Sequence, residues 1–267
     1  MAITTNDQLI AALATSKVNT FMKSNIAGTL VSGRPYGLLG TAGQPGAFTV
    51  PSTLAGNTTD GTTLAGAIPF TNSVSNQVYL SKLRGASGVG TLNFYDMLWW
   101  NGGINATLTT PQTVSSPTLP ARDDNGSSAG FNTSLWLYVS AAMGAGTPTI
   151  TVSYTNSDGV AGRTATATGI ATAIAATMIP FNLQSGDKGV QSVQSITFSA
   201  TWTSGTCHLM ILRSLDGLDL PLTGMSQSKN FYDLGYKLYN GTCVIGQWIP
   251  NSTSGSTIVA SVGFIEG

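Results

Sequence analysis

The spacing of apolar positions along the chain changes character twice. Near the start, Thr5 and Gln8 have the spacing of a capping box, and Leu9, Ile10, Leu13, Lys17 and Phe21 follow at helical intervals. This predicts a helix whose apolar stripe runs to about Met22. Between Gly28 and Gly66 no period is visible. Seven further glycines, three prolines and two charges, Arg34 and Asp60, separate isolated apolar points at Tyr36, Leu38, Leu39, Phe48, Leu54 and Leu64. A structureless stretch this long is uncommon inside a compact domain, so an extended arm ordered by what it touches is expected.

From Ala67 onward the period is two. Over residues 91–100, Leu92, Phe94, Asp96 and Leu98 alternate with Tyr95, Met97 and Trp99. Residues 135–139 are apolar on both parities, as expected of a strand lying between two sheets. Residues 149–155 and 160–168 flank Asn156-Ser157-Asp158-Gly159, a turn sequence, and predict a hairpin. Ile196, Phe198, Ala200 and Trp202 alternate with Thr197, Ser199 and Thr201. Ser204-Gly205 then predicts a second hairpin into residues 207–212. A short helix is expected over 171–178, and further strands over 243–249 and 258–264. The fold class read from this pattern is mainly β: an antiparallel sandwich of jelly-roll type over residues 67–267, preceded by a helix and extended arm over residues 1–66.

Composition strengthens the β reading and narrows the function. Only one residue, Glu266, is a glutamate, against 37 threonines. Glu favours helix surfaces and Thr favours strands. Charged residues number 22, or 8%, and their signs cancel, whereas ordinary domains carry about 25%. Without clustered Lys and Arg the chain has neither a nucleic-acid grip nor a polybasic membrane anchor. The apolar run 169–181 is too short to span a bilayer, and residues 1–5 lack a basic leader region, so a cytosolically made, non-membrane protein is expected. A surface this poor in charge does little to hold copies apart, which suits a protein whose working state is an assembly.

Candidate chemistry is sparse. His208 is the one histidine; on a strand it points away from Cys207, so the two cannot chelate together. Cys207 and Cys243 are compatible with one bridge or with two packed thiols. Gly126-Ser127-Ser128-Ala129-Gly130 matches a nucleophile elbow in letters, but Arg122–Asn125 before it is not strand-like and no helix follows. Asp123-Asp124-Asn125-Gly126 offers oxygen ligands yet lacks the acid that completes a calcium loop, and reads as a polar tip. Asp216 and Asp219 sit in what reads as a turn after a strand. No cofactor, metal site or catalytic group is assigned, and an enzyme is not expected. In Trp99-Trp100 either one ring enters the core while its neighbour faces outward as an interface anchor, or both rings are buried at a sheet edge.

Several stretches resemble a group of tailed-bacteriophage virion proteins: Gly66-Ala67-Ile68-Pro69-Phe70, Tyr79-Leu80, and residues 92–99 with Tyr95-Asp96 inside. The resemblance extends through Leu119-Pro120-Ala121-Arg122, Ser153-Tyr154-Thr155-Asn156, Ala161-Gly162-Arg163-Thr164 and the 186–195 region. It implies a structural, non-enzymatic component of the particle, of the head decoration (cement) type. Its expected partners are the major capsid protein and copies of itself, trimers being a family-level expectation. Its expected location is the capsid surface. In that reading the partner-binding residues are Leu9, Leu13 and Phe21 of the helix, Tyr36, Phe48 and Leu54 of the arm, and Trp99 and Trp100. A neck or tail placement, and a carbohydrate-binding adsorption module using the Trp pair, remain the alternatives.

Overall fold

The computed structural model describes residues 3–267. It is mainly β and antiparallel throughout, with one helix, Asn6–Ala14. Three sheets stack into layers. The central sheet runs in the order Met178–Pro180, Thr133–Ala141, Thr206–Leu220, Gly90–Trp100, Val244–Pro250, Tyr36–Gly37, with Asn57–Thr58 joined to Gly90–Trp100. A six-stranded sheet on one side is ordered Gln227–Lys229, Val78–Ala86, Ile258–Glu266, Lys17–Lys23, Gly43–Gln44, with Lys237–Leu238 also on Val78–Ala86. A four-stranded sheet on the other side is ordered Arg163–Thr168, Thr149–Asn156, Val190–Phe198, Gln112–Thr113.

The middle layer explains why its strands are apolar on both parities. Leu135, Leu137, Val139, Cys207, Leu209 and Ile211 enter the core shared with the four-stranded sheet. Tyr138, Met210 and Leu212 enter the core shared with the six-stranded one. Two bulges alter the alternation expected for residues 91–100. Register shifts between Ile211 and Leu212, and between Ser214 and Asp216, put Met97 and Trp100 on the side of Leu92 and Phe94, while Leu98 and Trp99 face the other core.

The capping box forms as expected, Thr5 Oγ1 accepting from the Gln8 amide at 3.3 Å and Gln8 Oε1 from the Thr5 amide at 3.2 Å. The helix, however, stops at Ala14 instead of reaching Met22. Val18, Thr20 and Phe21 prefer extended backbone, and Lys17–Lys23 finds a ready partner in the C-terminal strand, Lys17 opposite Phe264 and Lys23 opposite Ile258. The second expected hairpin also resolves differently. Val190–Phe198 belongs to the four-stranded sheet and Thr206–Leu220 to the central one, so the chain crosses between layers at Trp202, which is fully buried. Residues 171–178 turn without forming a helix, and Met178 begins a strand. The 215–220 stretch, expected as a turn, continues the long central strand to Leu220.

Residues 28–66 are extended, and they lie along their own chain. Tyr36–Gly37 pairs with Trp248 and Gln247, and Asn57–Thr58 with Trp100 and Trp99. Tyr36, Leu38 and Leu39 are buried, and Phe48, Leu54 and Leu64 pack against the cores. The glycines permit this close approach. At Gly56, with φ +68°, a Cβ would stand 2.1 Å from the Trp100 carbonyl oxygen, where no side chain fits. Lys23, fully buried, ties the same stretch down by donating to the carbonyls of Thr41 (3.1 Å), Pro45 (2.7 Å) and Gly46 (3.3 Å). Burial pushes its ammonium down to about 8.

Candidate interaction face

The two outer sheets turn very different surfaces to their surroundings. On the four-stranded sheet the outward row positions are hydroxyls in register: Thr164 beside Ser153, then Ser195, then Thr113; and Thr166 beside Thr151, then Thr197. Beneath them Ile150, Val152, Tyr154, Val193, Ile196 and Phe198 are buried. This is the alternation of a half-solvated sheet, achieved with Thr and Ser in place of charge.

The six-stranded sheet departs from that rule. Its inner parity carries Phe21, Leu80, Leu83, Ala260, Val262 and Phe264 into the core. Its outer parity is split. One end is roofed by the helix, whose Leu9 and Ala12 pack on Tyr79 and Ile265 with Phe231 alongside. The other end is bare. There Val18 lies opposite Gly263, which lies opposite Lys82; Thr20 opposite Ser261, then Arg84, then Ser228; Met22 opposite Val259, then Ala86. Val18 is 51% exposed, Met22 45% and Val259 45%. On the helix, Ile10 (65% exposed) and Leu13 (42%) form a second apolar stripe turned away from the sheet. Leu222 and Met225, in the loop whose Gly224 amide bonds to Ser87, and Tyr232, beside Phe231, are also exposed. Exposed apolar side chains thus recur in the outward rows and helix of this sheet, whereas the outward rows of the four-stranded sheet are hydroxyls and its exposed apolar residues, Leu108 and Val160, lie in its loops.

Of the eight residues read from the sequence as partner-binding, Leu13 stands exposed on this face. Leu9 lies under the helix, while Phe21 and Tyr36 are in the core. Phe48 and Leu54 are packed against the cores. The outward-facing ring expected of the Trp pair is not seen in this chain. Trp99 is wholly buried, its Nε1 donating to the Ala55 carbonyl at 2.9 Å, and Phe48 covers Trp100 at 4.7 Å between ring centroids. A hollow of about 510 Å³ is lined by Trp100 together with Thr53, Asn57, Thr58, Asp60 and Thr63 among others, and Trp100 is 3% exposed there. The sequence pattern does not single out Ile10, Val18, Met22 and Val259 as surface residues; their exposure depends on which face of the sheet and helix lies outside.

Part of the scarce charge is enclosed. Five of the 22 charged residues, Lys23, Asp96, Arg122, Asp123 and Arg213, are buried. Asp96, fully enclosed, takes Arg122 and Arg213 at 3.4 Å each and the Cys243 amide at 2.8 Å. Burial pushes its carboxyl up, against the pull of the two guanidiniums. Arg122 also donates to Thr59 Oγ1 (3.1 Å), the Met97 carbonyl (3.0 Å) and the Gly241 carbonyl, and Arg213 to the Lys237 carbonyl (3.2 Å). One carboxylate therefore organises the arm, the 119–123 loop, the central sheet and the 237–243 segment.

The remaining polar clusters are structural in geometry. Asp123 is consumed by its own loop, accepting from the Asn125, Ser127 and Phe131 amides and from Ser127 Oγ. Asp216 pairs with Lys229 at 2.8 Å, and Asp219 accepts from Thr91 Oγ1. His208 Nε2 meets Ser140 Oγ at 2.6 Å, stacked on Tyr138, and burial pushes the imidazole down to about 4. Cys207 and Cys243 are both free and lie in different cores, and burial pushes each thiol up to about 12. Among the described residues no group of three His, Cys, Asp or Glu could hold a metal, and no helix is long and apolar enough to cross a membrane.

Asp187 supplies a pH-dependent tie. Arg163 grips it through Nε (2.9 Å) and Nη2 (2.8 Å), and Asn156 Nδ2 (2.8 Å) and the Tyr154 hydroxyl also donate to it. These bonds, Arg163's first, hold its carboxyl at about 2. A depressed carboxylate stabilises the fold fully above its unfolded value near 4 and loses that contribution as pH falls toward 2. In urea unfolding, wild type should therefore exceed Asp187→Asn at pH 6, and the gap should close between pH 4 and pH 2. A gap that stays constant with pH assigns the tie to packing alone.

Comparison with known proteins adds little to this geometry. No protein-family model matches the chain, and no curated protein matches it. Among solved structures the chain shows weak similarity to viral capsid proteins. The VP2 subviral particle of infectious bursal disease virus aligns at a TM-score of 0.23 and 9% identity, over 94% of this chain and 80% of that one. The Gx strain of the same virus aligns at 0.22 and 11%, over 94% and 79%. These scores lie well below those of a shared fold.

Proposed function

We propose that the chain is a structural virion protein that decorates a tailed-phage head and stabilises it by bridging neighbouring subunits of the major capsid protein. The observation that carries this reading is the gathering of Ile10, Leu13, Val18, Met22 and Val259 on the outer side of the six-stranded sheet. Contiguous exposed apolar surface marks an interaction site, and the hydroxyl-covered sheet opposite marks the side that stays wet. The phage resemblance of the 66–70, 92–99, 119–122 and 153–164 stretches supplies the partner. In this reading the protein lies flat on the capsid surface, helix and bare strands downward, with copies of itself as neighbours in the layer. The arm packs on its own chain, with Gly43–Gln44 at the edge of that sheet beside Met22 and Lys23.

The double variant Ile10→Asp/Leu13→Asp tests it. Both side chains are exposed, so the thermal midpoint should be kept, while binding to particles stripped of the protein should fall at least 100-fold. Unchanged binding removes this face from the contact. A copy number per particle near that of the capsid protein is expected; a few dozen copies or fewer indicates the neck or tail instead.

A further inference from the structure

We infer that the bare end of the six-stranded sheet docks an acidic partner surface, one presenting carboxylates beside an apolar side chain. The inference rests on the proposed docking reading and names the chemistry of what that face meets. Lys82 and Arg84 stand two positions apart on one strand, so both point outward at a spacing of about 6.8 Å. Both are exposed, and neither has an ion-pair partner among the described residues. The Arg84 guanidinium touches Ser226 Oγ at 3.5 Å. Their cross-strand neighbours are Gly263 and Val18 beside Lys82, and Ser261, Thr20 and Ser228 beside Arg84, all uncharged.

The apolar row Met22, Val259 and Ala86 borders Arg84 directly, and Val18 stands in the row of Lys82. An occupant that buried this row would have to desolvate Lys82 and Arg84 as well, and only an acidic partner offsets that cost. Of the acids near this sheet, Asp7 is in the first turn of the helix, Asp233 Oδ2 accepts from the Asn230 amide, Glu266 Oε1 accepts from Ser73 Oγ, and Asp216 is paired with Lys229. None of them is a register neighbour of Lys82 or Arg84 in the outward rows. The opposite sheet serves as an internal contrast. Its hydroxyl rows carry neither exposed large apolar side chains nor charge at their outward row positions, as a surface without a docking partner needs neither.

The experiment measures binding to stripped particles from 50 to 300 mM salt, comparing wild type, Lys82→Glu/Arg84→Glu, Lys82→Gln/Arg84→Gln, and Ile10→Asp/Leu13→Asp. Wild type should weaken as salt rises. Charge reversal should cost roughly 10- to 100-fold at 50 mM and reverse the salt trend, with the glutamine pair between. The Ile10/Leu13 variant should lose affinity while keeping the wild-type salt trend. If both charge variants bind as wild type with the same salt trend, the acidic partner is overturned and the docking face stands. If wild type itself does not bind, the virion reading fails and this inference with it. If free wild type dimerises in sedimentation and charge reversal abolishes the dimer, the occupant is a second copy and the inference is overturned.

Discussion

Replacing Asp96 with asparagine is expected to lower the unfolding free energy by about 3–5 kcal/mol, the range for removing one partner of a buried ion pair. The variant keeps the shape of the side chain and removes its charge, leaving the guanidiniums of Arg122 and Arg213, both buried, without a counter-ion. Urea denaturation at pH 7 reads the loss directly. The same site predicts a coupling. Arg122→Met should cost less in the Asp96→Asn background than in wild type, because the guanidinium it removes has already lost its counter-charge. A loss below about 1 kcal/mol would mean that water reaches the node and that the carboxylate does not organise the four segments meeting there.

Trp99→Ala should be comparably damaging, about 3–5 kcal/mol for deleting a large side chain from a close-packed core. Trp99 is fully buried between the central and four-stranded sheets, and its Nε1 holds the Ala55 carbonyl. Trp99→Phe keeps most of the volume and loses the hydrogen bond, for which about 1–2 kcal/mol is expected. Both variants should speed proteolytic cleavage within residues 53–58, since that segment is pinned to the sheet at Trp99 and Trp100. Cleavage at the wild-type rate would separate the arm's attachment from the Trp99 contact.

Much of the β architecture was legible because local alternation reports it. The 149–168 hairpin, the strand at 91–100 and the capping box at Thr5 follow from periods and turn residues that act over a few positions. The helix end was not, because Lys17 and Phe21 satisfy a helical stripe and an extended strand alike. The choice fell to pairing with Ile258–Glu266, more than 200 residues away. The crossover at Trp202 was hidden for a similar reason: Ser204-Gly205 allows a tight hairpin, and only the layers decide which sheet each flanking strand joins.

The interaction face was the least legible part. Leu9 and Ile10 are adjacent apolar residues in one helix, yet one is roofed against Tyr79 and Ile265 and the other is 65% exposed. The Trp pair carried the strongest local signal for an exposed anchor. Strand alternation in the middle layer sends its two rings into opposite cores, where the arm closes over both.

By itself the sequence determined the class of fold, since Thr-rich alternation with one glutamate suits strands far better than helices. It also determined the scarcity of charge. Tertiary structure alone decided where the few charges went and which apolar residues stayed outside. Five charges are enclosed, three of them knotting the arm to the middle sheet, and Lys82 and Arg84 are left unpaired beside bare valine and methionine. The physical reason is that burial belongs to a residue's whole surroundings. Sheet order and layer stacking, set by contacts distant in sequence, choose which of a strand's two faces meets a neighbour and which meets water.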